Sequence, residues 1–459
     1  MCNRCNDETS PPVDANGDAM GAGGIQNALD IDSTAEAGSY LDQGRYGYFS
    51  LLIQQLNRKQ QVSYRLTDLH QVLPLVDPTK DTWISQAEFL LPNRRVVNLA
   101  RIGLLFVDVD TYRMPWAKGR TPDQQVDSFL YFCEQAGVPQ PSLVIWSGRG
   151  LHAKWLLDGT LPRQALPRWN ACQRFLVDLL HETGADPRAK DASRVLRLVD
   201  TVNSRSQQVA RVLHITSGTD DKPKRYDFEW LCEMLLPMAR WDLEKAGKKR
   251  KNRLSLVSDL AGKGQRSFSG RRLAWDRLED IRTLQKLRML KGGKEKDGKV
   301  KAGERMSLLF WQMNFLLLSG ATHSGGLWHE AAELARQMDP NWGYRSSELS
   351  TLYRKARAFE AGEKVEFNGR RYPPLYTPKN DTLISLLSIG DDEQKQLKTI
   401  ISRSESRTRD RLRKEKKRRA AGVVDRATWE ASALSQTKPW EALGMSRRTW
   451  YRKGKPAVN

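Results

Sequence analysis

At 459 residues, with 75 Lys and Arg against 54 Asp and Glu for a formal charge of +21, the chain is too long for one hydrophobic core, and two or three domains are expected. So basic a balance points to a polyanionic partner, nucleic acid foremost, the alternative being a soluble protein that happens to be basic. No apolar core follows a basic segment at the start, the greasiest run (306–318) is too short to cross a bilayer, and five cysteines fit a reducing compartment without a disulfide frame; a cytoplasmic, DNA-associated chain with no membrane partner is expected.

Residues 1–40 are rich in Gly, Ala, Asp, Asn and Ser without apolar periodicity, and disorder is expected there. Cys2 and Cys5 form a CxxC pair that no second pair answers, so no zinc site is expected. Between about 45 and 235, short β-like runs alternate with helical ones. The runs 102–110, 142–148, 193–199 and 208–216 read as strands. The segments 121–137, 161–184 and 226–241 read as amphipathic helices. This pattern predicts an α+β domain with mixed sheets.

The first strand ends in Asp108-Val109-Asp110. Period-two alternation puts both carboxylates on one face, about 6 to 7 Å apart. Two such charges repel unless a divalent cation neutralises them, which is the arrangement that two-metal phosphoryl transfer needs. The competing reading is a strand end whose acids cap the next turn. About forty residues on, a second strand runs into Ser147, Gly148, Arg149, Gly150 and His152 on a hairpin. Glycines there would let backbone N–H groups approach a phosphate, with Arg149, His152 and Lys154 as further donors. A third element, 184–206, carries Asp186, then Arg194 and Arg197, then Asn203 and Arg205.

This order of acid pair, glycine turn with histidine, and acid with arginines resembles the three motifs of the archaeo-eukaryotic primase superfamily. The likeness is strongest to primase-polymerases and replication proteins of plasmids and mobile elements, and it covers roughly residues 45–235. The resemblance implies an archaeo-eukaryotic primase-like core that makes primers on a single-stranded DNA template. It implies Asp108, Asp110 and Asp186 as catalytic ligands of two divalent ions, Mg²⁺ or Mn²⁺. It also implies Ser147, Arg149, Gly150, His152, Arg197 and Arg205 as contacts of a nucleoside triphosphate. Asp191 and Asp200 remain rivals for the third acid. Two positions depart from the pattern: Gly150 stands where a small hydroxyl residue is common, and Val199-Asp200 where a Pro-Gly turn is common.

No G-x-x-x-x-G-K-[ST] occurs, so a separate replicative helicase is expected as a partner. No His-x-His pair is present, which argues against a relaxase or rolling-circle initiator. Beyond the core, basic runs at 243–253 and 291–304 mark linkers around helical segments at 272–290 and 303–320. Asn368-Gly369 suits a two-residue hairpin turn, and 403–421 reads as a strongly basic helix. At 437–455 a helix, a turn at Gly444 and a second helix capped by Ser446 form a helix-turn-helix pattern with Leu443, Met445 and Trp450 packing. Arg447, Arg448, Tyr451, Arg452 and Lys453 would face duplex or origin DNA; the alternative is a basic hairpin without DNA contact. Trp440 stands where a small residue is usual. The expected organisation is a tail at 1–40, a catalytic core at 41–240, a basic linker and helix at 241–300, a helical accessory domain at 301–395, and a DNA-binding tail at 396–459. A non-catalytic DNA-binding replication initiator is the competing function.

Overall fold

The computed structural model describes residues 31–219, 222–236, 259–291, 299–367, 369–422 and 426–456. Outside them lie the Cys2/Cys5 pair and residues 1–30 of the expected tail, the linker at 243–253, residues 292–298 of the one at 291–304, residues 237–241 of the last core helix, and Asn368. The chain forms two compact units, residues 1–94 with 98–253, and 95–97 with 254–459.

The first unit is built on a ten-stranded sheet. Its strands are β1 (Tyr48–Gln55), β2 (Arg58–Arg65), β3 (Thr82–Ser85), β4 (Glu88–Phe89), β5 (Leu99–Val109), β6 (Leu143–Trp146), β7 (Leu151–Pro162), β8 (Val195–Arg197), β11 (Arg211–Ile215) and β12 (Arg225–Tyr226); β9 (Val202–Asn203) and β10 (Gln208–Val209) pair separately. The order is β11-β6-β7-β5-β4-β1-β3-β8, with β2 beside β1 and β12 beside β7. Every pairing in this sheet is antiparallel except β12 with β7, so the sheet is mixed as expected. β5 is the longest apolar run of the sheet and is buried along almost its whole length.

Helices then fix β5 in place. Helix α3 (Pro122–Gln135) starts on a capping box between Thr121 and Gln124 with Pro122 at its first turn, which satisfies amides that would otherwise be unpaired. Helix α4 (Leu166–Leu179) packs on β5: Gln173 serves both backbone groups of Phe106, and the Trp169 indole donates to Leu104 O. The helix expected over 161–184 is shorter at both ends. β7 extends to Pro162 because Leu161 and Pro162 still pair with Ile102 and Arg101, and the segment closes on a 3₁₀ turn at His181–Thr183 capped by Gly184 in a left-handed conformation. Cys172 on α4 and Cys232 on α5 (Phe228–Leu235) are buried free thiols with their sulfurs 3.0 Å apart.

A second departure lies at the start. Part of the segment expected to be disordered is α1 (Ser33–Gly38), N-capped by Asp32. Its Glu36 is fully buried and pairs with Lys154 of β7 at 2.5 Å, also fully buried. The Asp200 carboxylate accepts from the Ser33 amide.

The second unit is mostly helical, with helices at Asp259–Lys291, Ala302–Ser319, Leu327–Met338, Ser350–Glu360 and Arg403–Ala420 as its longer members. The expected hairpin is present, β13 (Val365–Phe367) pairing with β14 (Arg370–Tyr372). Within this unit the buried Asp280 carboxylate accepts from the amides of Lys398, Thr399 and Ile400, which anchors the chain leading into the basic helix. That helix, Arg403–Ala420, buries none of its residues. Among the described residues no helix is long and apolar enough to cross a membrane.

Candidate active site

The C-terminal end of β5 is where the three sequence motifs meet. Asp108 lies directly across from His152 in the β5–β7 register, its Oδ1 3.6 Å from His152 Nε2. The segment carrying Asp186 is sewn to the same strand end: Asp186 N donates to Asp108 O at 2.8 Å, and Asp110 N donates to Gly184 O at 2.9 Å. Backbone pairing thus brings Asp108, Asp110 and Asp186 together from positions some eighty residues apart in sequence.

The turn between β6 and β7 closes on this strand end through its glycines. A Cβ on Gly150 would stand 2.3 Å from Val109 O, and one on Gly148, at φ +89°, 2.6 Å from Asn203 Cβ. Both positions therefore exclude a side chain because neighbouring segments press against them. This differs from the expected role of baring N–H groups to a phosphate, since the Gly150 amide donates to Ser147 Oγ. Ser147 also donates that hydroxyl to Gly150 O, and its own carbonyl accepts from Asn203 Nδ2. Thr111 Oγ1 donates to Arg149 O, and the Arg149 guanidinium lies 3.9 Å from the centre of the half-exposed Tyr112 ring.

The electrostatics are those of crowded acids. Burial, then the charges of Asp110 and Asp186, push the Asp108 carboxyl up to about 7, with Arg194 opposing. The Asp108 side chain still keeps 30% of its surface, so solvent tempers the energetic weight of that shift. Burial, reinforced by Lys154 and Arg197, pushes His152 down to about 3, so its ring is neutral at physiological pH. Its Nδ1 is buried without a hydrogen-bond partner among the described residues. Asp110 makes an ion pair with Arg113 at 3.1 Å, and Asp186 Oδ1 accepts from the Arg188 amide.

Other expected residues are placed less simply. Lys154 does not serve as a donor for phosphate: it is sealed in the core against Glu36, beside the Tyr40 ring. Arg197 is buried and paired with Asp81 at 2.6 Å. Asp81, which sequence reasoning missed, also accepts from the amide and hydroxyl of Ser204. Burial works against the Asp81 carboxylate, but the Ser204 bonds and Arg197 outweigh it and hold its pKa below the usual value. A lone Asp in a turn before a strand gave no signal for this. Arg205 is exposed, with its amide bonded to Asn203 Oδ1. Of the rival acids, Asp191 caps Ser193 and pairs with Arg194, while Asp200 holds α1.

Three carboxylates near enough for two of them to act on the pKa of the third, with a neutral imidazole whose Nδ1 is buried and unpartnered, offer donor chemistry that suits a divalent cation and a polyphosphate. As placed, no group of three or more His, Cys, Asp or Glu side chains among the described residues stands close enough together to hold a metal ion.

In the second unit, the tail has its turn at Gly444 (φ +64°) and its second helix, Arg447–Arg452, capped by Ser446. The packing differs from expectation. Trp440 and Trp450 are the buried pair, with ring centres 6.0 Å apart, while Leu443 and Met445 are only partly covered. Trp440 is thus the keystone of this small module, occupying the space a small residue was expected to leave. Arg447, Arg448, Tyr451, Arg452 and Lys453 are exposed.

No protein-family model matches the chain. It is 28% identical over 326 residues to a replication protein of Clostridium perfringens, covering 71% of this chain and 69% of that one. Among solved structures it is similar to the AEP domain of the cyanophage S-2L primase-polymerase, at 19% identity and a TM-score of 0.31, over 42% of this chain and 90% of that one. The primase RepB′ is 16% identical with a TM-score of 0.30, over 72% of this chain and 99% of its own. The catalytic domain of RepB′, solved with initiator DNA, is 14% identical with a TM-score of 0.28, over 48% and 99%.

Proposed function

We propose that this chain is a DNA primase or primase-polymerase, a nucleotidyltransferase that starts strands on a single-stranded template during replication of a plasmid or integrated element. The observation that carries the reading is the convergence of Asp108, Asp110 and Asp186 on one strand end, with neutral His152 directly across from Asp108. The kinship with a protein named as a replication protein supports the same general role.

Asp108, Asp110 and Asp186 would hold the two divalent ions, Mg²⁺ or Mn²⁺. Such ions, when bound, supply charge neutralisation at the triphosphate and a lowered pKa at the attacking 3′-hydroxyl. His152, kept neutral, can donate one N–H to a phosphate oxygen without adding repulsion toward the cations. Arg149, its guanidinium against the Tyr112 ring, carries a planar fork of donors on the same turn. Arg197 would help to keep His152 neutral, and Asp81 pairs with it. Thr111 and the two glycines keep the Arg149 turn against the strand end that carries the acids. Arg447, Arg448, Tyr451, Arg452 and Lys453 would bring duplex or origin DNA to the chain, and a separate helicase would open it. A cytoplasmic, DNA-associated setting follows from that role.

A second reading is a non-catalytic initiator. It is favoured by the partners already on two of the acids, Arg113 on Asp110 and the Arg188 amide on Asp186. A primer-synthesis assay on single-stranded template, with labelled nucleotides and Mg²⁺ or Mn²⁺, separates the two. The wild-type chain is expected to make primers, and Asp110→Asn to lower synthesis by at least a hundredfold. Undiminished synthesis in Asp108→Asn, Asp110→Asn and Asp186→Asn alike removes the enzymatic reading.

A further inference from the structure

Beside the acids, the open face of β2-β1-β3-β8 carries a cluster of cations. In the register, Trp83 of β3 lies across from Leu52 of β1 and from Arg197 of β8, and Leu52 lies across from Gln61 of β2. Cross-strand partners share a face, and so does Lys59, two residues before Gln61. Lys59 Nζ stands 3.9 Å from the centre of the Trp83 ring, and Arg197 Cζ 5.0 Å from it. Burial pushes the Lys59 ammonium below its ordinary pKa; Asp81 opposes this, while Arg197 and Arg205 add to it. Arg197 and Arg205 therefore both act on Lys59, with Asp81 as the opposing carboxylate. Asp81 is already engaged by Arg197 and by two bonds from Ser204. The surplus positive charge calls for an anion from outside the chain.

Position decides which anion. Arg197 is the buried member, close enough to His152 to act on its pKa, whereas Lys59 and Arg205 are exposed. A compact triphosphate would be held on the inner side. A polymer leaving the site must cross the exposed side.

We propose that Lys59, seated on Trp83 beside Arg197 and Arg205, takes a backbone phosphate of the single strand that occupies the Asp108–His152 site. Trp83 is a positioning residue: it holds the flexible lysine stem over its ring through a cation–π contact. The proposal rests on the primase reading of the neighbouring acids, but its test needs no synthesis.

The full chain is titrated with a fluorescein-labelled oligo(dT), without nucleotide or divalent ion, over a range of salt. Lys59→Gln is expected to lower the log–log salt slope by about 0.7, the value of one phosphate contact on a single strand. Trp83→Leu is expected to lower it by part of that amount, and Trp83→Tyr to restore it. An unchanged slope in Lys59→Gln overturns the proposal. In a second arm a nucleoside triphosphate is titrated alone. If Lys59→Gln weakens that binding while the strand slope stays at the wild-type value, the phosphate belongs to the nucleotide and the strand proposal falls. If the slope drops as expected but the wild-type chain makes no primers, the enzymatic reading fails and the strand subsite stands.

Discussion

Asp108 carries a cost that its neighbours impose. Its ordinary carboxyl pKa of 3.8 is raised to about 7 in the fold, first by burial and then by Asp110 and Asp186. A carboxyl raised in this way is favoured protonated, so the fold loses stability as pH climbs from about 4 to 7 and the loss is constant above that. Asp108→Asn, measured with a chelator present, is expected to raise thermal stability above pH 7 by roughly 1–3 kcal/mol, the exposed fraction of the side chain trimming the full shift. The gain should shrink toward zero near pH 4; a capping role predicts a loss of stability instead. Arg197 gives a contrasting case. Arg197→Ala abandons Asp81 in a nearly buried setting, at an expected cost of about 3–5 kcal/mol, and Asp81→Asn in the same chain should recover much of it. Thermal melts of the single and double variants check this. The acids were legible because a strand displays alternate residues on one face, and that rule needs only local sequence. Asp81 was not, because its partners Arg197 and Ser204 lie more than a hundred residues downstream and only the sheet order joins them.

At the scale of elements, capping and turn chemistry read well. Thr121 with Gln124 and Ser446 sit at helix starts, and the strands on either side of the expected Asn-Gly turn pair as a hairpin. Helix ends inside the core read less well: 161–165 looked helical by apolar spacing, yet ladder pairing with β5 and the 3₁₀ turn before Leu166 took precedence. In the tail, packing reverses the weight given to Trp440. Trp440→Ala should remove one half of the buried tryptophan pair in that module and melt it locally, read as loss of protection in residues 439–452 by hydrogen exchange. The basic face is tested separately. Arg447→Ala with Arg448→Ala is expected to lower the salt slope for duplex binding by about 1.8, at roughly 0.9 per phosphate. An unchanged slope removes DNA contact from that helix.

Over the whole molecule, length was enough to expect two or three domains, and two compact units are present. The helical accessory region and the tail, expected as separate domains, fall within one of them. Within the stretch expected to be disordered, residues 33–38 depart from that expectation for a physical reason. A six-residue helix with one buried acid has no periodicity to betray it, and its worth depends on Lys154, 118 residues later. That pair sets where an excised core has to begin. A fragment starting at residue 41 inherits an ammonium group walled in by protein with its counter-charge cut away, whereas one starting at residue 31 keeps both. The shorter fragment should melt well below the longer one, and Lys154→Met should narrow the gap by removing the stranded charge. What looks from composition like a dispensable segment therefore completes the core, and limited proteolysis should leave residues 33–38 attached to it.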